Sequence, residues 1–152
     1  MTISPLKPNV FSPQITVPNI ELEVSQSGAK YQGRDDVLLV TLPTGSTVVG
    51  AFTKSQCPSA PVDWCKEILA TPTARSIIIN AGNANAFTGS AGIDTVKNMV
   101  HGVAKIIGCA ENEIYVSSTG VIGEPLDGDK IINALSNRQP ATIDQAATAI
   151  MT

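Results

Sequence analysis

Histidine, cysteine, aromatic and charged residues are all scarce in this chain. Its 152 residues include one histidine and three cysteines, with 4 % aromatic and 15 % charged residues and a net charge of -3. Nucleic acids are held by basic clusters and stacking aromatics, so this composition argues against a nucleic-acid partner. No apolar run approaches the roughly 18 residues that cross a bilayer, and residues 1–9 lack the apolar core of a signal peptide. We therefore expect a cytoplasmic protein with no membrane segment.

The shortage of cysteine and histidine also limits the possible chemistry. Cys57, Cys65 and Cys109 lack the spacing of metal ligands, so we expect no metal site and interpret them as reduced thiols, mostly packed as small hydrophobic groups. The only histidine, His101, is predicted to lie on the polar side of a helix, in contact with water. Ser-His-Asp and Cys-His mechanisms need an imidazole beside the nucleophile. The sequence therefore predicts that any activated hydroxyl uses a different base.

With 43 % hydrophobic residues, the chain can form one domain with a sizeable core. Strands and helices alternate after Leu42, which favours a layered α/β or α+β domain. The predicted elements are a hairpin of residues 36–41 and 47–53, strands at 75–80 and 113–118, and helices at 59–69, 93–107 and 141–152.

Two of the predicted helices carry the clearest signals. The first has one apolar stripe and a left-handed glycine cap; these residues are Ile93, Val96, Val100, Val103, Ile107 and Gly108. The last has Thr142 and Gln145 at the spacing of a capping box, and its predicted inner face consists of Ile143, Ala147 and Ile150.

An asparagine- and glycine-rich segment, NAGNANAFTG at residues 80–89, lies between a predicted strand and a predicted helix. Such positions often bring backbone N–H groups to a ligand. Asn80, Asn83 and Asn85 offer both hydrogen-bond donors and acceptors to a ligand, or they satisfy the backbone of a tight structural turn. The residues alone favour neither interpretation.

A second segment, SSTGVIG at residues 117–123, places small hydroxyl residues and glycines at a strand end. A hydroxyl and a backbone N–H at Thr119 and Gly120 are donors of the kind that stabilise the oxyanion in acyl transfer. Closure of a turn by Ser118 or Thr119 is the simpler explanation, and the residues alone favour it.

Five segments together resemble the ornithine acetyltransferase (glutamate N-acetyltransferase) family of arginine biosynthesis. They are GRDDVLLV (33–40), AFTKSQCPSAPV (51–62), NAGNANA (80–86), STGVIGEPL (118–126) and AIMT (149–152). They occur in the family's order and spacing, from about Pro18 to Thr152. One such segment would be weak support; five in register make the resemblance specific.

The resemblance implies an α+β fold, a layered α/β sandwich with mixed sheets of the amino-terminal-nucleophile type. Family members are precursors that cleave themselves before a threonine, which then carries acetyl from N-acetylornithine to glutamate in a ping-pong cycle without a cofactor. Bifunctional members also use acetyl-CoA. Carried over by motif, Thr119 and Gly120 form the oxyanion hole and Thr152 contacts substrate. The asparagine-rich loop has no catalytic role to carry over and is interpreted as scaffold beside the site.

The resemblance also sets expectations about organisation and partners. Residues 1–17 are expected to form an irregular amino-terminal arm, and residues 18–152 the α-chain part of a domain that a second, β chain from the same precursor completes. The family's nucleophile lies beyond the AIMT segment, so these residues are not expected to form a complete enzyme. The expected assembly is a heterotetramer of two α and two β chains. A related amino-terminal-nucleophile aminopeptidase or amidase, and a non-catalytic small-ligand-binding module, remain the alternatives.

Overall fold

The computed structural model describes residues 17–152, so the predicted arm at residues 1–17 lies almost wholly outside the described residues. The described chain forms one five-stranded sheet and four α-helices, which confirms the α+β class. The strands are β1 Glu21–Ser25, β2 Val37–Thr47, β3 Thr73–Asn83, β4 Ile114–Val121 and β5 Gln139–Pro140. The helices are α1 Ala60–Ile68, α2 Gly89–Ile107, α3 Gly128–Ala134 and α4 Ile143–Ala149.

The sheet is mixed, with strand order β4-β3-β2-β1-β5. β3 and β4 run parallel, whereas β1 pairs antiparallel with β2 and β5, and β2 antiparallel with β3. Helix α2 makes the crossover between the two parallel strands. Since parallel strands end at the same edge of a sheet, the segments that follow β3 and β4 are brought together.

One face of the sheet packs against α2, and α3 packs against that helix. Met99, Val100 and Val103 of α2 are 0 % exposed and pack in one cluster with sheet residues such as Leu39 and Ile78. The predicted helix and its glycine cap are confirmed, because Gly108 ends α2 at φ +75°. The predicted stripe is wrong at its start, since Ile93 is 46 % exposed.

The opposite face is covered by α4 over β1 and β2. Ala146 and Ala149 pack against Val24 and Leu38, and the small alanine side chains let the helix approach the strands closely. The predicted inner face is therefore wrong at Ile143, which is 39 % exposed, and at Ala147, which lies outside this cluster, but it is confirmed at Ile150, which packs partly buried against the cluster.

The ends of α4 give one confirmation and one correction. The capping box is confirmed: Gln145 N–H donates to Thr142 Oγ1 at 3.3 Å, and Thr142 N–H donates to Gln145 Oε1 at 2.8 Å. The helix ends at Ala149, because the backbone of Ile150, at ψ 0°, is no longer helical. The predicted helix through residue 152 is therefore too long.

Helix α1 lies along β4, the outer strand of the sheet. Trp64 Nε1 donates to the carbonyl of Ile114 at 2.8 Å. The Cys65 thiol donates to the Val116 carbonyl at 3.3 Å and accepts from the Val116 N–H at 3.4 Å. These contacts occupy backbone groups that an outer strand would otherwise expose.

The three cysteines and the histidine differ in their exposure to solvent. Burial of the Cys65 thiol raises its pKa, as expected for a packed cysteine. Cys57 is exposed, so it does not pack as predicted, and Cys109 is half-buried. His101 is confirmed as a surface residue, with its Nδ1 atom 2.8 Å from Glu111 Oε1 and both side chains more than half exposed.

The predicted hairpin of residues 36–41 and 47–53 is wrong. β2 continues to Thr47 and pairs with β3 along its length, with a register shift between Thr41 and Ser46. Residues 48–53 form no strand, and Val49 is 94 % exposed. The partner that a hairpin would supply is instead the distant strand β3. The sequence also failed to predict β1 and α3, which are short.

Candidate active site

The candidate site lies where β3 and β4 end side by side. In the parallel register Ala81 pairs with Thr119 and Gly82 with Gly120. Gly120 has φ +132°, and a Cβ atom there would overlap the backbone of Gly82 and Asn83. Only glycine fits such a backbone and such a contact. The two strands therefore approach each other closely at the predicted oxyanion residues.

Thr119 and Gly120 carry donors that the sheet leaves unused. Backbone groups alternate along a strand, and the Val116 N–H is directed away from β3, towards Cys65. Gly120 lies four residues on, so its N–H is directed to the same side. The backbone groups of the alternate β4 residues are directed towards β3, since the Val121 carbonyl accepts from the Ala84 N–H at 2.9 Å. Among residues 17–152, no group forms a hydrogen bond with the Thr119 hydroxyl. An O–H and an N–H donor are thus adjacent and unoccupied.

The asparagines of the 80–89 segment are used as structural clamps. Ser118 Oγ donates to Asn80 Oδ1 at 2.6 Å, and Asn80 Nδ2 donates to the Asn83 carbonyl at 2.9 Å. Asn83 Nδ2 reaches the carbonyls of Glu124 and Pro125 at 3.0 and 3.3 Å. The two asparagines therefore hold the chain on both sides of Thr119 and Gly120.

The third asparagine ties the segment to α2. Asn85 Nδ2 donates to the Gly92 carbonyl at 2.9 Å, and Asn85 Oδ1 accepts from Thr88 Oγ1 at 2.9 Å. Its side chain is 1 % exposed, and those of Asn80 and Asn83 are similarly buried. Since these amides are bonded within the protein, the structural interpretation is confirmed and the segment is scaffold beside the site.

A loop between β1 and β2, residues 26–36, covers this end of the strands. Asp36 is 0 % exposed, and its carboxylate accepts from the N–H and Oγ of Ser27 at 2.6 and 2.8 Å, which closes the loop. Lys30 and Tyr31 lie directly over Gly82, where an added Cβ would come 2.7 Å from Lys30 Cβ. Lys30 Nζ also pairs with Glu124 Oε2 at 2.8 Å. The family resemblance includes residues 33–40, but it assigns no role to this loop. The feature of the sequence that could have indicated the loop is the aspartate at the end of GRDD, Asp36, whose carboxylate is buried.

Thr152 follows α4 and is exposed. Thr119 and Ala81 share a face of the sheet with Ile79 and Leu38, because these residues are in register or two residues apart. That is the face on which α4 packs. The structure thus brings Thr119 and Gly120 together and places the α4–Thr152 segment on the same side of the sheet as Thr119.

Metal-binding clusters and membrane-spanning helices are both absent from the described residues. Residues 17–152 contain no group of three or more His, Cys, Asp or Glu side chains placed to hold a metal ion. None of the helices in this part of the chain is long and apolar enough to cross a membrane.

Comparison with known proteins points to one family. The profile of the ArgJ family matches residues 21–152. Arginine biosynthesis bifunctional proteins ArgJ from Bradyrhizobium diazoefficiens and Rhizobium meliloti are 43 % and 42 % identical over 155 residues, each covering 99 % of this chain. The chain spans 38 % of the length of these relatives.

Two solved structures have the same fold. ArgJ from Bacillus halodurans superposes with a TM-score of 0.77 at 28 % identity, covering 88 % of this chain and 70 % of that one. Ornithine acetyltransferase from Mycobacterium tuberculosis, solved with ornithine, gives a TM-score of 0.77 at 31 % identity, covering 89 % of this chain and 76 % of that one.

Proposed function

Because this chain belongs to the ArgJ family, we propose that it is the amino-terminal, α-chain part of a bifunctional acetyltransferase of arginine biosynthesis. The whole protein moves acetyl from N2-acetylornithine to glutamate and also makes N-acetylglutamate from acetyl-CoA. The observation that carries the proposal is the pair of unused donors at Thr119 and Gly120, at the carboxyl ends of two parallel strands. Ligands commonly bind at this edge of a parallel sheet.

In the proposed mechanism the nucleophile is the amino-terminal threonine of the partner chain. Its hydroxyl attacks the acetyl carbonyl and passes its proton to its own α-amine or to a held water. The ornithine amine leaves with a proton, and acetyl remains on the threonine. The amine of glutamate then attacks this ester and releases the threonine hydroxyl.

This chain supplies the oxyanion donors in both half-reactions. Each attack converts the acetyl oxygen to an oxyanion, which the Thr119 hydroxyl and Gly120 N–H stabilise. Preorganised donors act more strongly on a developing charge than water does, because they need no reorientation during the reaction. The asparagine clamps on either side supply that preorganisation. Thr152 contacts the substrate from the α4 side.

The proposed partner is a β chain released from the same precursor by autocatalytic cleavage, and the assembly is a heterotetramer of two α and two β chains. The α4 face supports a partner: Val40 and Ile79 in the middle of the sheet are only half-buried there. The cytoplasm is the proposed location, which fits the exposed, unpaired thiol of Cys57.

The test of the function uses the full-length protein and its intact masses. Two chains are expected, the second beginning with threonine. N-acetylornithine supplied with glutamate should yield N-acetylglutamate. Acetate as the only product would indicate an aminopeptidase or amidase, and binding without turnover would indicate a ligand-binding module.

The test of the oxyanion role is Thr119→Ala. We expect kcat to fall by about 10²–10³-fold, or about 2.7–4 kcal/mol of barrier, as for other oxyanion donors. The matched control is Ser117→Ala, an exposed hydroxyl on the same strand and the same face, which should leave kcat unchanged. An unchanged kcat for Thr119→Ala would remove this residue from the mechanism.

A further inference from the structure

The loop of residues 26–36 contacts both parts of the proposed site. At one end Tyr31 lies against Gly82, the glycine that pairs with Gly120. At the other end Arg34 reaches the carboxyl end of α4. The loop is closed by the buried Asp36 carboxylate, so these two contacts are held in a fixed relation.

Arg34 makes a specific set of contacts at the end of α4. Its Nη2 atom donates to the Met151 carbonyl at 2.6 Å and to the Thr148 carbonyl at 3.3 Å. Carbonyls at a helix carboxyl end carry partial negative charge, which a guanidinium complements. The same guanidinium lies over the Tyr31 ring, 4.4 Å from its centroid, in a cation–π contact.

We propose that Arg34 is a positioning residue, which sets the place of Thr152 relative to Thr119 and Gly120. The Met151 carbonyl belongs to the peptide bond that joins Met151 to Thr152, so a shift of this carbonyl moves the Thr152 backbone. The same guanidinium contacts Tyr31, which lies against Gly82, the strand partner of Gly120, so Arg34 is also connected to the proposed oxyanion residues. This role rests on the proposed function, in which Thr152 contacts substrate.

The first test is kinetic and uses the full-length protein. Arg34→Met keeps the length of the side chain and removes its charge and donors. We expect kcat/KM for N-acetylornithine to fall by about 10–100-fold, mostly through KM, because misplacing a binding group by about 1 Å costs up to about 10²-fold. Arg34→Lys should restore only part, since a compact ammonium does not stack over the Tyr31 ring as the planar guanidinium does.

The matched control is Arg75→Met, which removes another arginine that donates to a carbonyl, at Leu42, 3.3 Å from its Nε atom. Arg75→Met should leave KM for N-acetylornithine unchanged, even if it lowers the melting temperature. A kcat/KM of Arg34→Met within twofold of wild type would overturn the proposal.

A double-mutant cycle separates positioning from general destabilisation. If Arg34 acts through Thr152, adding Arg34→Met to Thr152→Val should lower kcat/KM by less than a further threefold. Full additivity of the two losses would overturn the proposal.

A readout without activity distinguishes this inference from the proposed function. Hydrogen exchange of the peptide covering residues 143–152 should accelerate in Arg34→Met and not in Arg75→Met. Unchanged exchange there would refute the positioning role whether or not the protein transfers acetyl. Absence of acetyl transfer by the wild-type protein, with accelerated exchange in Arg34→Met, would refute the function and keep the structural role.

Discussion

The two faces of the sheet differ in how completely they are covered. On the α2 face, Met99, Val100 and Val103 are 0 % exposed and the cluster around them is continuous. On the α4 face, Leu38 is buried, but Val40 and Ile79 are only half-buried. The first face holds the fold together. The second carries the segments proposed to bind substrate and is proposed to be completed by the partner chain.

The largest effect is expected from truncating the core of the α2 face. Met99→Ala should lower the free energy of unfolding of the full-length protein by about 4 kcal/mol, because a fully buried side chain leaves a cavity that its neighbours cannot fill. Ile79→Ala on the α4 face should cost about 2 kcal/mol, as expected for an isoleucine that the partner chain buries. Thermal and urea unfolding measure both. A cost below about 1 kcal/mol for Ile79→Ala would mean that this face stays open to solvent.

The next effect concerns the carboxyl ends of β3 and β4, where Gly82 pairs with Gly120. Gly120→Ala should cost about 3 kcal/mol, because its Cβ would meet the Gly82 backbone and its φ is unfavourable for alanine. Gly123→Ala is the matched control: its φ is +84°, but a Cβ there meets nothing within 4 Å. It should cost about 1 kcal/mol, measured as a shift in the urea midpoint. Equal costs would show that backbone strain, not the strand contact, requires glycine at residue 120.

The smallest effect concerns the helix that lies along β4. In the native protein at pH 8 the exposed Cys57 should react with a thiol reagent, whereas Cys65 should react only after unfolding. The pKa of Cys65 is raised from 9.0 by burial, so the unfolded chain loses this proton first as pH rises. The stability linked to this thiol is therefore complete below pH 9.0 and declines above it. Cys65→Ala should reduce that alkaline decline; an unchanged pH profile would contradict the assignment.

The sequence predicted the fold correctly where a signal lies within one local segment. The α2 stripe, the Gly108 cap and the Thr142–Gln145 box were readable because each depends on residues a few positions apart. The hairpin prediction failed because the Pro- and Gly-containing turn signal lost to pairing with β3, which is remote in sequence. β1 was missed because five residues carry too little pattern to identify a strand.

The candidate site was predictable only in part. Sequence located the Thr119–Gly120 pair and the asparagine segment, and the resemblance supplied a role for the pair only. It could not assign the Asn83 amide, because the carbonyl partners of this amide, at Glu124 and Pro125, lie some 40 residues away. Arg34 was hidden for the same reason: its carbonyl partners are 114 and 117 residues along the chain.

The covering of β4 by α1 has a consequence for biosynthesis. A ribosome completes this part of the protein before the polypeptide that is proposed to cover the α4 face. Long open strand edges on a waiting intermediate would template the addition of strands from other nascent chains. Here Trp64 and Cys65 occupy the β4 edge at Ile114 and Val116, and the other outer strand, β5, has only two residues. The same two side chains that pack α1 thus lower the risk of aggregation during synthesis.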